Sequence, residues 1–407
     1  MLRRIQTGIG LFSLASLVVA LIGCGGSTPT GQGGQPILVG ASVSLSGDFA
    51  ADGTAAKQGY ELWADYVNSH GGLLGRQVKL DLLDDASDPQ QAITVYQKLA
   101  TIDHVDLLFG PFSTFLTKAV SVVAQRYGYT FFTGMAGGPF IVQQGLRNII
   151  NIELNGQYLM DIFAKQVPSL TPAPSTAAYV TEDNPFTQPE VDQARKVLES
   201  EGVRTVLYKV YPAESTDFTP IASAIVAANP DLVVAGTGLR DLVAFIQTFK
   251  QQHFNPKALI AAGGADAGDQ FSSAIGNANT EGILIPGPWD PSLKTPQNSF
   301  FVTEFTKKYG GKPADVSTTS AEAFATGQFA AAVVTAAGSL DQQKLADRSY
   351  TQTIQSILGP IQVDRASAQN VAGGAVLRQW QHGSLTVVSP PSLANARLEY
   401  PKPAWAG

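Results

Sequence analysis

The amino-acid sequence predicts an α/β protein with two similar lobes, each built around a parallel sheet. Short apolar runs typical of strands alternate with helical patterns from Ile37 onward. This alternation is typical of βαβ units whose sheets are covered on both faces. The same alternation restarts after the Pro-rich segment 169–175. The body of the chain, roughly 370 residues long, also suits two or three domains on length alone.

The first lobe begins with a predicted strand over residues 37–44, and helical spacing of apolar residues follows as far as Gly71. Asp88 and Pro89 supply the cap and the first-turn proline of the next helix. The pattern also predicts strands over 78–82, 107–109 and 130–132, and a helix over 115–127.

The second lobe repeats the pattern, with predicted strands over 176–180, 203–210, 232–235 and 259–262 and helices between them. The later apolar run 324–340 contains Gly327, Gln328 and Gly338. Because these residues interrupt its apolar character, the run predicts a buried helix rather than a membrane span.

The N-terminal region has the layout of an export signal. Arg3 and Arg4 precede an apolar run over 9–22, which is shorter than the ~20 residues that a membrane-spanning helix needs. The run ends in Leu-x-Gly-Cys, which resembles the bacterial lipoprotein signal, whose cysteine is acylated. A buried free cysteine is the alternative, but Cys24 lies at the edge of the signal.

This pattern predicts a signal peptide over 1–23, a lipid on Cys24 and a flexible tether over 24–36, which has no charge and no large apolar residue after Cys24. The chain is therefore predicted to be exported to the bacterial cell envelope and anchored to a membrane, with a soluble body.

No pattern of catalytic residues, cofactor-binding residues or metal ligands stands out. A nucleophile elbow and a phosphate-binding loop are absent, and the turn that ends in Gly238 has Asp241 where a dinucleotide site needs glycine. The four histidines lie far apart in the sequence and lack metal-ligand spacing. The net charge of −6 and scattered basic residues give no nucleic-acid footprint. The sequence therefore predicts neither an enzyme nor a cofactor, metal or nucleic-acid site.

Small, polar, glycine-rich turns follow the predicted strands, at 44–53, 110–114, 133–139, 181–186 and 263–266. Ligands of open α/β sheets bind outside the carboxyl ends of strands, so these turns are candidate ligand contacts, although each could be turn chemistry alone. Ser113 and Thr114 would lie at a helix N-terminus, which favours an anion. Further candidates in such turns are Ser46, Asp52 and Gly238.

The spacing of residues 45–89, from Leu45-Ser46-Gly47 through Gly71-Gly72 to Asp88-Pro89, resembles the opening of branched-chain amino-acid binding proteins. These are type I periplasmic binding proteins of ABC importers. The likeness continues through 110–117, 133–139, 281–283, 358–361 and 379–380, and covers about 37–388.

The resemblance implies two Rossmann-like lobes joined by three crossovers, near Leu154, Pro286 and Gly359. It implies a first lobe over 37–154 and 287–358, a second lobe over 155–286 and 359–388, and a C-terminal tail over 389–407. It also implies closure on a small ligand, followed by docking to ABC permease subunits.

The family's ligand residues in the first lobe transfer to this sequence only in part. The serine or threonine that holds a ligand carboxylate corresponds to Thr114, with Ser113 beside it. The small positions whose backbone contacts the ligand correspond to Met135 and Ala136, and Met135 is bulkier than usual. The threonine that follows is replaced by Gly137, so one hydroxyl is lost.

The second lobe departs from the pattern as well. The family's aromatic residue corresponds to Phe186 rather than to a tyrosine. The acid that receives an amino group corresponds to Gly264, although Asp266 lies two positions further on. An amino acid, another small carboxylate and an uncharged amide therefore remain open as ligands.

Two other classes of protein share parts of this description. An extracellular sensor would have the same fold, but it would normally carry a downstream membrane span, and 389–407 contains none. A secreted enzyme would need an activated catalytic group, and none stands out in the sequence. Neighbouring permease genes would favour transport, and a histidine-kinase gene would favour sensing.

Overall fold

A computed structural model describes residues 34–406. The predicted signal peptide, the lipidation site Cys24 and most of the predicted tether lie outside the described residues.

Lobe 1 contains a five-stranded parallel sheet in the order β2-β1-β3-β4-β5. Asp88 caps the second helix, because its carboxylate accepts from the Gln91 N–H at 2.8 Å, and Pro89 occupies the first turn. The strands are β1 (Ile37–Val43), β2 (Val78–Asp84), β3 (Leu107–Phe109), β4 (Phe131–Thr133) and β5 (Ile149–Asn151). The helices are α1 (Ala50–Ser69), α2 (Pro89–Thr101), α3 (Thr114–Arg126) and α4 (Phe140–Gln143).

The second sheet belongs to lobe 2 and contains seven strands in the order β14-β13-β10-β9-β8-β6-β7. Its strands are β6 (Thr176–Glu182), β7 (Arg204–Tyr211), β8 (Leu232–Gly236), β9 (Ala258–Ala261), β10 (Leu284–Gly287), β13 (Val376–Gln381) and β14 (Ser384–Ser389). Strands β6 to β10 run parallel, as predicted. Strands β13 and β14 form an antiparallel hairpin at one edge, because a tight turn at His382 and Gly383, both with positive φ, joins them. The helices are α5 (Asp161–Ala164), α6 (Thr187–Ser200), α7 (Thr219–Ala228), α8 (Leu239–Gln251) and α9 (Asp269–Ile275).

Between β10 and β13 the chain returns to lobe 1 and adds α10 (Asn298–Tyr309), α11 (Thr318–Ala337), α12 (Gln342–Ser349) and a hairpin of β11 (Thr353–Ser356) and β12 (Gly359–Gln362). Helix α11 contains most of the predicted apolar run and is largely buried against α1. No single helix within residues 34–406 is long and apolar enough to cross a membrane. Helices α11 and α12 meet that criterion only as a pair bent by 111°.

Each sheet is covered on both faces by buried apolar side chains, which confirms the predicted α/β class. The chain passes between the lobes three times: between β5 and α5, between β10 and α10, and between β12 and β13. The third passage differs from the expectation near Gly359. Leu358, Ile361 and Val363 are buried in the core of lobe 1, so β12 belongs to that lobe and the crossing lies after it.

The predicted C-terminal tail is part of lobe 2 rather than a separate segment. Its first residue, Ser389, ends β14. Leu398 and Tyr400 pack against one face of the lobe 2 sheet, and Trp405 packs against the other. The Lys402 N–H donates to the Lys257 carbonyl at 2.7 Å. Scattered apolar residues among prolines thus suffice to anchor the segment.

Candidate ligand-binding cleft

The two lobes meet where a glycine-rich turn of lobe 1 faces a short loop of lobe 2. A side-chain Cβ added to Gly137 would lie 3.0 Å from the Phe186 ring, and one added to Gly156 would lie 2.4 Å from the same ring. A Cβ on Gly138 would lie 2.7 Å from the Pro185 carbonyl oxygen. Glycine therefore permits this close approach. We call the region around these residues the interlobe cleft.

Ser113 and Thr114 lie at the start of α3, beside this contact. The Thr114 hydroxyl accepts from the Gly138 N–H at 3.0 Å, which leaves the hydroxyl proton free to donate. The Ser113 hydroxyl is buried and has no hydrogen-bond partner among the described residues. The structure thus places Ser113, Thr114, Gly137 and Phe186 in one region.

Met135 and Ala136 are buried in the two cores of lobe 1, one on each face of the sheet. The Met135 side chain is therefore a core residue and not a bulky cleft residue. The Ala136 carbonyl accepts from the Asn151 side-chain amide at 2.8 Å, so one of its backbone groups is already engaged. The main chain here supports the cleft through hydrogen bonds within the lobe.

Two further predicted residues, Ser46 and Gly238, are exposed. Ser46 is exposed, and its hydroxyl donates to Asp84 at 3.0 Å. Gly238 is exposed at the start of α8. Position 264 requires glycine rather than the family's acid, because its φ is +86° and a Cβ there would lie 2.4 Å from the Gly238 carbonyl oxygen. We leave Ser46 and Gly238 out of the proposed site.

Asp52 lies in the first turn of α1, where its carboxylate accepts from the Thr319 hydroxyl at 3.2 Å. Burial raises the pKa of Asp52 to about 6, and the negative charge of Asp266 adds to the effect. Asp52 belongs to lobe 1 and Asp266 to lobe 2, so a charge in one lobe disfavours ionisation of a predicted site residue in the other.

Arg378 on β13 is a buried cation that sequence reasoning missed. Its guanidinium lies 3.6 Å from the Asp266 carboxylate and donates to the Thr318 hydroxyl of lobe 1 at 3.3 Å. A Cβ on Gly287 would lie 2.7 Å from the same guanidinium. Arg378 therefore partly neutralises Asp266 and links the lobes beside the second crossover.

Glu153, in the first crossover, was also missed. A Cβ on Gly137 would lie 2.6 Å from its Oε1, so the carboxylate lies against the predicted site. Its Oε2 is buried and has no hydrogen-bond partner within the part of the chain that the structure describes. Burial raises the pKa of Glu153 to about 8, although the Ala136 N–H opposes the shift.

Glu190 and Glu322 extend this group of acids. Glu190 on α6 is fully buried, and burial together with the charge of Glu153 raises its pKa well above the usual value. Glu322 on α11 is buried too. Burial raises its pKa, and the carboxylates of Glu153, Asp266 and Asp52 add to the shift.

A weak sequence signal for these missed residues exists. Glu322 interrupts an apolar helix, Glu153 follows a buried strand, and Arg378 lies within a strand. Charged side chains are rarely fully buried unless they are paired, so Glu322, beside the predicted buried run 324–340, carried the clearest signal of the three. Their convergence was not predictable, because the three residues come from distant segments.

The chemistry of the cleft is that of recognition. Residues 34–406 contain no group of three or more His, Cys, Asp or Glu residues that could hold a metal ion. The cleft offers hydroxyl groups at a helix start, an aromatic face, carboxylates and one guanidinium, and these groups suit non-covalent binding of a small polar molecule.

Comparison with known proteins gives a consistent result. A family model described as "Periplasmic binding protein" matches residues 36–384. The chain is 23% identical over 416 residues to a Leu/Ile/Val-binding protein homolog 7 of Brucella abortus (strain 2308), covering 96% of this chain and 99% of that protein.

Solved structures share the fold. A leucine binding protein, LivK, from Thermotoga maritima MSB8 superposes with a TM-score of 0.77 at 18% identity, covering 88% of this chain and 99% of that chain. A solute binding protein of an ABC transporter from R. palustris, in complex with benzoate, gives 0.75 at 22% identity, covering 91% and 98%.

Proposed function

This chain belongs to the periplasmic binding protein family, and we propose that it is the solute-binding component of an ABC importer. It captures a small polar organic ligand between its lobes and delivers it to permease subunits. The observation that carries this proposal is the convergence of Thr114 and Gly137 from lobe 1 with Phe186 from lobe 2. A ligand held by both lobes would stabilise their closed arrangement.

We propose separate roles for the residues of the interlobe cleft. Ser113 and Thr114 donate to a polar ligand group from the start of α3, and Gly137 allows the ligand to approach the backbone. Phe186 provides the aromatic wall. Asp52 and Asp266 provide carboxylates from opposite lobes.

The related proteins are named for, or contain, different ligands, so the ligand class proposed for this chain is based on the chemistry of its own site. The Brucella protein is named for leucine, isoleucine and valine, the Thermotoga protein for leucine, and the R. palustris structure contains benzoate. We propose that the ligand is a small organic molecule with a polar group, such as an amino acid or a related acid or amide.

We also propose that the chain is exported and anchored to the membrane through Cys24. Cys24→Ala is expected to remove the protein from the membrane fraction or to leave uncleaved precursor, because the acylated residue is lost. Fractionation followed by intact-mass measurement tests this. Normal acylation and processing of the variant would contradict the proposal.

A thermal-shift screen of small metabolites on the chain from residue 25 onward tests the binding function. A ligand at 100 times its dissociation constant adds about 2.7 kcal/mol of stability. At roughly 2–4 °C per kcal/mol, at least one compound should raise the melting temperature by several degrees. The stabiliser should be recovered chemically unchanged. Consumption of the stabiliser, or a broad screen with no hit, would contradict a solute-binding role.

A further inference from the structure

Two hydroxyl groups beside the turn at Gly137 and Gly138 have protons without an acceptor. The Ser113 hydroxyl is buried and lacks a hydrogen-bond partner within residues 34–406. The Thr114 hydroxyl accepts from the Gly138 N–H at 3.0 Å, and among the described residues it donates to no acceptor. Each hydroxyl has one proton to donate, so both are available to an acceptor that the chain itself does not supply.

The Glu153 carboxyl lies against the same turn. It occupies the space that a side chain at position 137 would take, because a Cβ added to Gly137 would lie 2.6 Å from its Oε1 and 3.0 Å from its carboxyl carbon. Glu153 is 7% exposed, and its Oε2 has no hydrogen-bond partner in the described part of the chain. A buried carboxyl thus lies where the sequence indicated the loss of a hydroxyl.

The surroundings of this carboxyl favour its neutral form. Burial raises the pKa of Glu153 to about 8, and the hydrogen bond from the Ala136 N–H offsets only part of the rise. Glu190 of α6 and Glu322 of α11 face it, and their own pKa values are raised by burial and by the charge of Glu153. At pH 7 Glu153 is therefore mainly a carboxylic acid, whose hydroxyl is a hydrogen-bond donor.

The charged groups of the cleft are held around the start of α11. The Asp52 carboxylate accepts from the Thr319 hydroxyl at 3.2 Å. The Arg378 guanidinium lies 3.6 Å from the Asp266 carboxylate and donates to the hydroxyl of the first residue of α11. Burial, rather than any of these charges, sets the pKa of Glu153. The donors around the turn at 137–138 therefore act together.

A carboxylate is the acceptor that suits three donors. Its two oxygens have about four lone-pair positions between them, whereas the carbonyl oxygen of an amide has two. Hydrogen bonds to a charged acceptor are also stronger than those between neutral groups. Buried donors are normally satisfied, so three donors at one turn favour a shared carboxylate over an uncharged oxygen.

We propose that Glu153 is a binding residue whose protonated carboxyl donates, together with Ser113 and Thr114, to a carboxylate group of the ligand. The first crossover thereby supplies the donor that Gly137 cannot. This inference rests on the proposed solute-binding function and narrows it, since the ligand carries a carboxylate and Glu153 keeps its proton. Loss of that proton removes a donor and places a second negative charge beside the ligand.

Three matched pairs of compounds test the ligand class on the chain from residue 25 onward, which contains every described residue. The pairs are benzoate and benzamide, 4-methylpentanoate and 4-methylpentanamide, and 3-phenylpropanoate and 3-phenylpropanamide. Within a pair the carbon skeleton is shared and only the acceptor group differs. At pH 7 at least one carboxylate should bind, at least about tenfold more tightly than its amide.

The pH dependence of carboxylate binding tests the role of Glu153. The three carboxylates stay ionised between pH 7 and 9, so a change in their affinity reports on the protein. The pKa of Glu153 in the unbound chain is about 8, so its proton is mostly present at pH 7 and mostly lost at pH 9. Affinity should therefore fall about tenfold over this range. Calorimetry at pH 8 in two buffers of different ionisation enthalpy should show uptake of about half a proton.

Two substitutions separate the donor from the bulk of the side chain. Glu153→Gln keeps an N–H donor that does not titrate, so carboxylate affinity at pH 7 should change by less than about threefold and its pH dependence should flatten. Glu153→Met keeps most of the bulk but has no donor, and should weaken binding by at least about tenfold. Glu201→Gln, at the exposed end of α6, is the control and should keep the wild-type affinity and pH profile. Circular dichroism confirms that each variant is folded.

Difference infrared spectroscopy at pH 7 observes the proton directly. Binding of a carboxylate should shift the C=O stretching band of a protonated carboxyl group, because that group gains a hydrogen bond. The shifted band should be missing from Glu153→Gln and present in Glu201→Gln.

A wild-type affinity that stays constant between pH 7 and 9 would overturn the inference, as would full affinity in Glu153→Met. Tighter binding of the amides, or a failure of all three carboxylates to bind, would overturn it too. Each of these outcomes leaves the solute-binding function intact. That function fails only if the broad metabolite screen gives no hit or the hit is consumed.

Discussion

At the scale of single residues, the buried carboxyl groups determine how proton binding by the folded protein depends on pH. Glu153 carries a carboxylate whose folded-state pKa rises from 4.5 to about 8 because it is buried. The folded chain therefore binds more protons than the unfolded chain between these values. Stability from this group is present at low pH and is lost as the pH rises toward 8.

The first prediction follows from that proton balance. Without ligand, the free energy of unfolding should fall as the pH rises from about 5 to 8, by about 1.4 kcal/mol per pH unit for Glu153 alone. Glu153→Gln should flatten the decline, whereas Glu201→Gln, at the exposed end of α6, should not. Melting temperatures across this range are the measurement. A wild-type curve that rises with pH, or one that Glu153→Gln leaves unchanged, would show that Glu153 does not titrate in this way.

The second prediction concerns the Thr114 hydroxyl, which accepts from Gly138 and has its proton free. Thr114→Ala removes this donor and should weaken ligand binding by about tenfold or more. Thr114→Ser keeps the hydroxyl and is the matched control, with an expected loss of less than about threefold. Titration calorimetry with the stabiliser from the metabolite screen decides between them. Equal affinities for the two variants would move the polar contact away from Thr114.

At the scale of elements, close approach between helices fixes the shape of lobe 1. Helix α11 lies so near α1 that a Cβ on Gly59 would lie 2.2 Å from the Ser320 carbonyl oxygen. A Cβ on Gly327 would likewise lie 2.2 Å from the Trp63 indole. This packing holds Glu322 and Thr319 of α11 beside Asp52 of α1. The positions of Asp52 and Glu322 thus depend on the contact between these two helices.

The third prediction tests that contact. Gly59→Ala places a methyl group where backbone atoms already lie, so it should destabilise the chain by about 1–3 kcal/mol. Gly374→Ala is the control, because a Cβ there has nothing within 4 Å and its φ is not in the left-handed region. Chemical denaturation measures both. Equal stability of the two variants would mean that the helices separate at little cost.

Elements were largely predictable from the sequence because their signals are local. The Asp88 cap and Pro89 start α2 where expected, and the alternation of strands and helices gave both lobes. The assignment of β12 to lobe 1 was not predictable, since it depends on which core buries Leu358 and Ile361. The packing of the C-terminal segment depends on the same kind of non-local burial.

At the scale of the whole molecule, the two lobes contact each other around glycines, and Val376 of β13 and Val387 of β14 also join the lobe 1 core. Gly137, Gly138 and Gly156 bring lobe 1 and the first crossover against Pro185 and Phe186. The buried apolar residues of the two sheets form largely separate clusters. Three chain passages connect the lobes, an arrangement in which a hinge motion can change the distance between them. The sequence predicted this architecture through resemblance, but not the acids that fill its cleft.

The central claim is that a small molecule closes the lobes on itself, and the distance between the lobes tests it most directly. Cys24 is the sole cysteine, so the chain from residue 25 onward accepts spin labels only where cysteines are introduced. Val122→Cys on α3 and Lys196→Cys on α6 place exposed labels on the two lobes. Pulsed electron–electron double resonance should show a broad distance distribution without ligand. The stabiliser from the metabolite screen should shift it to a single shorter distance. An unchanged distribution at saturating ligand would contradict the account.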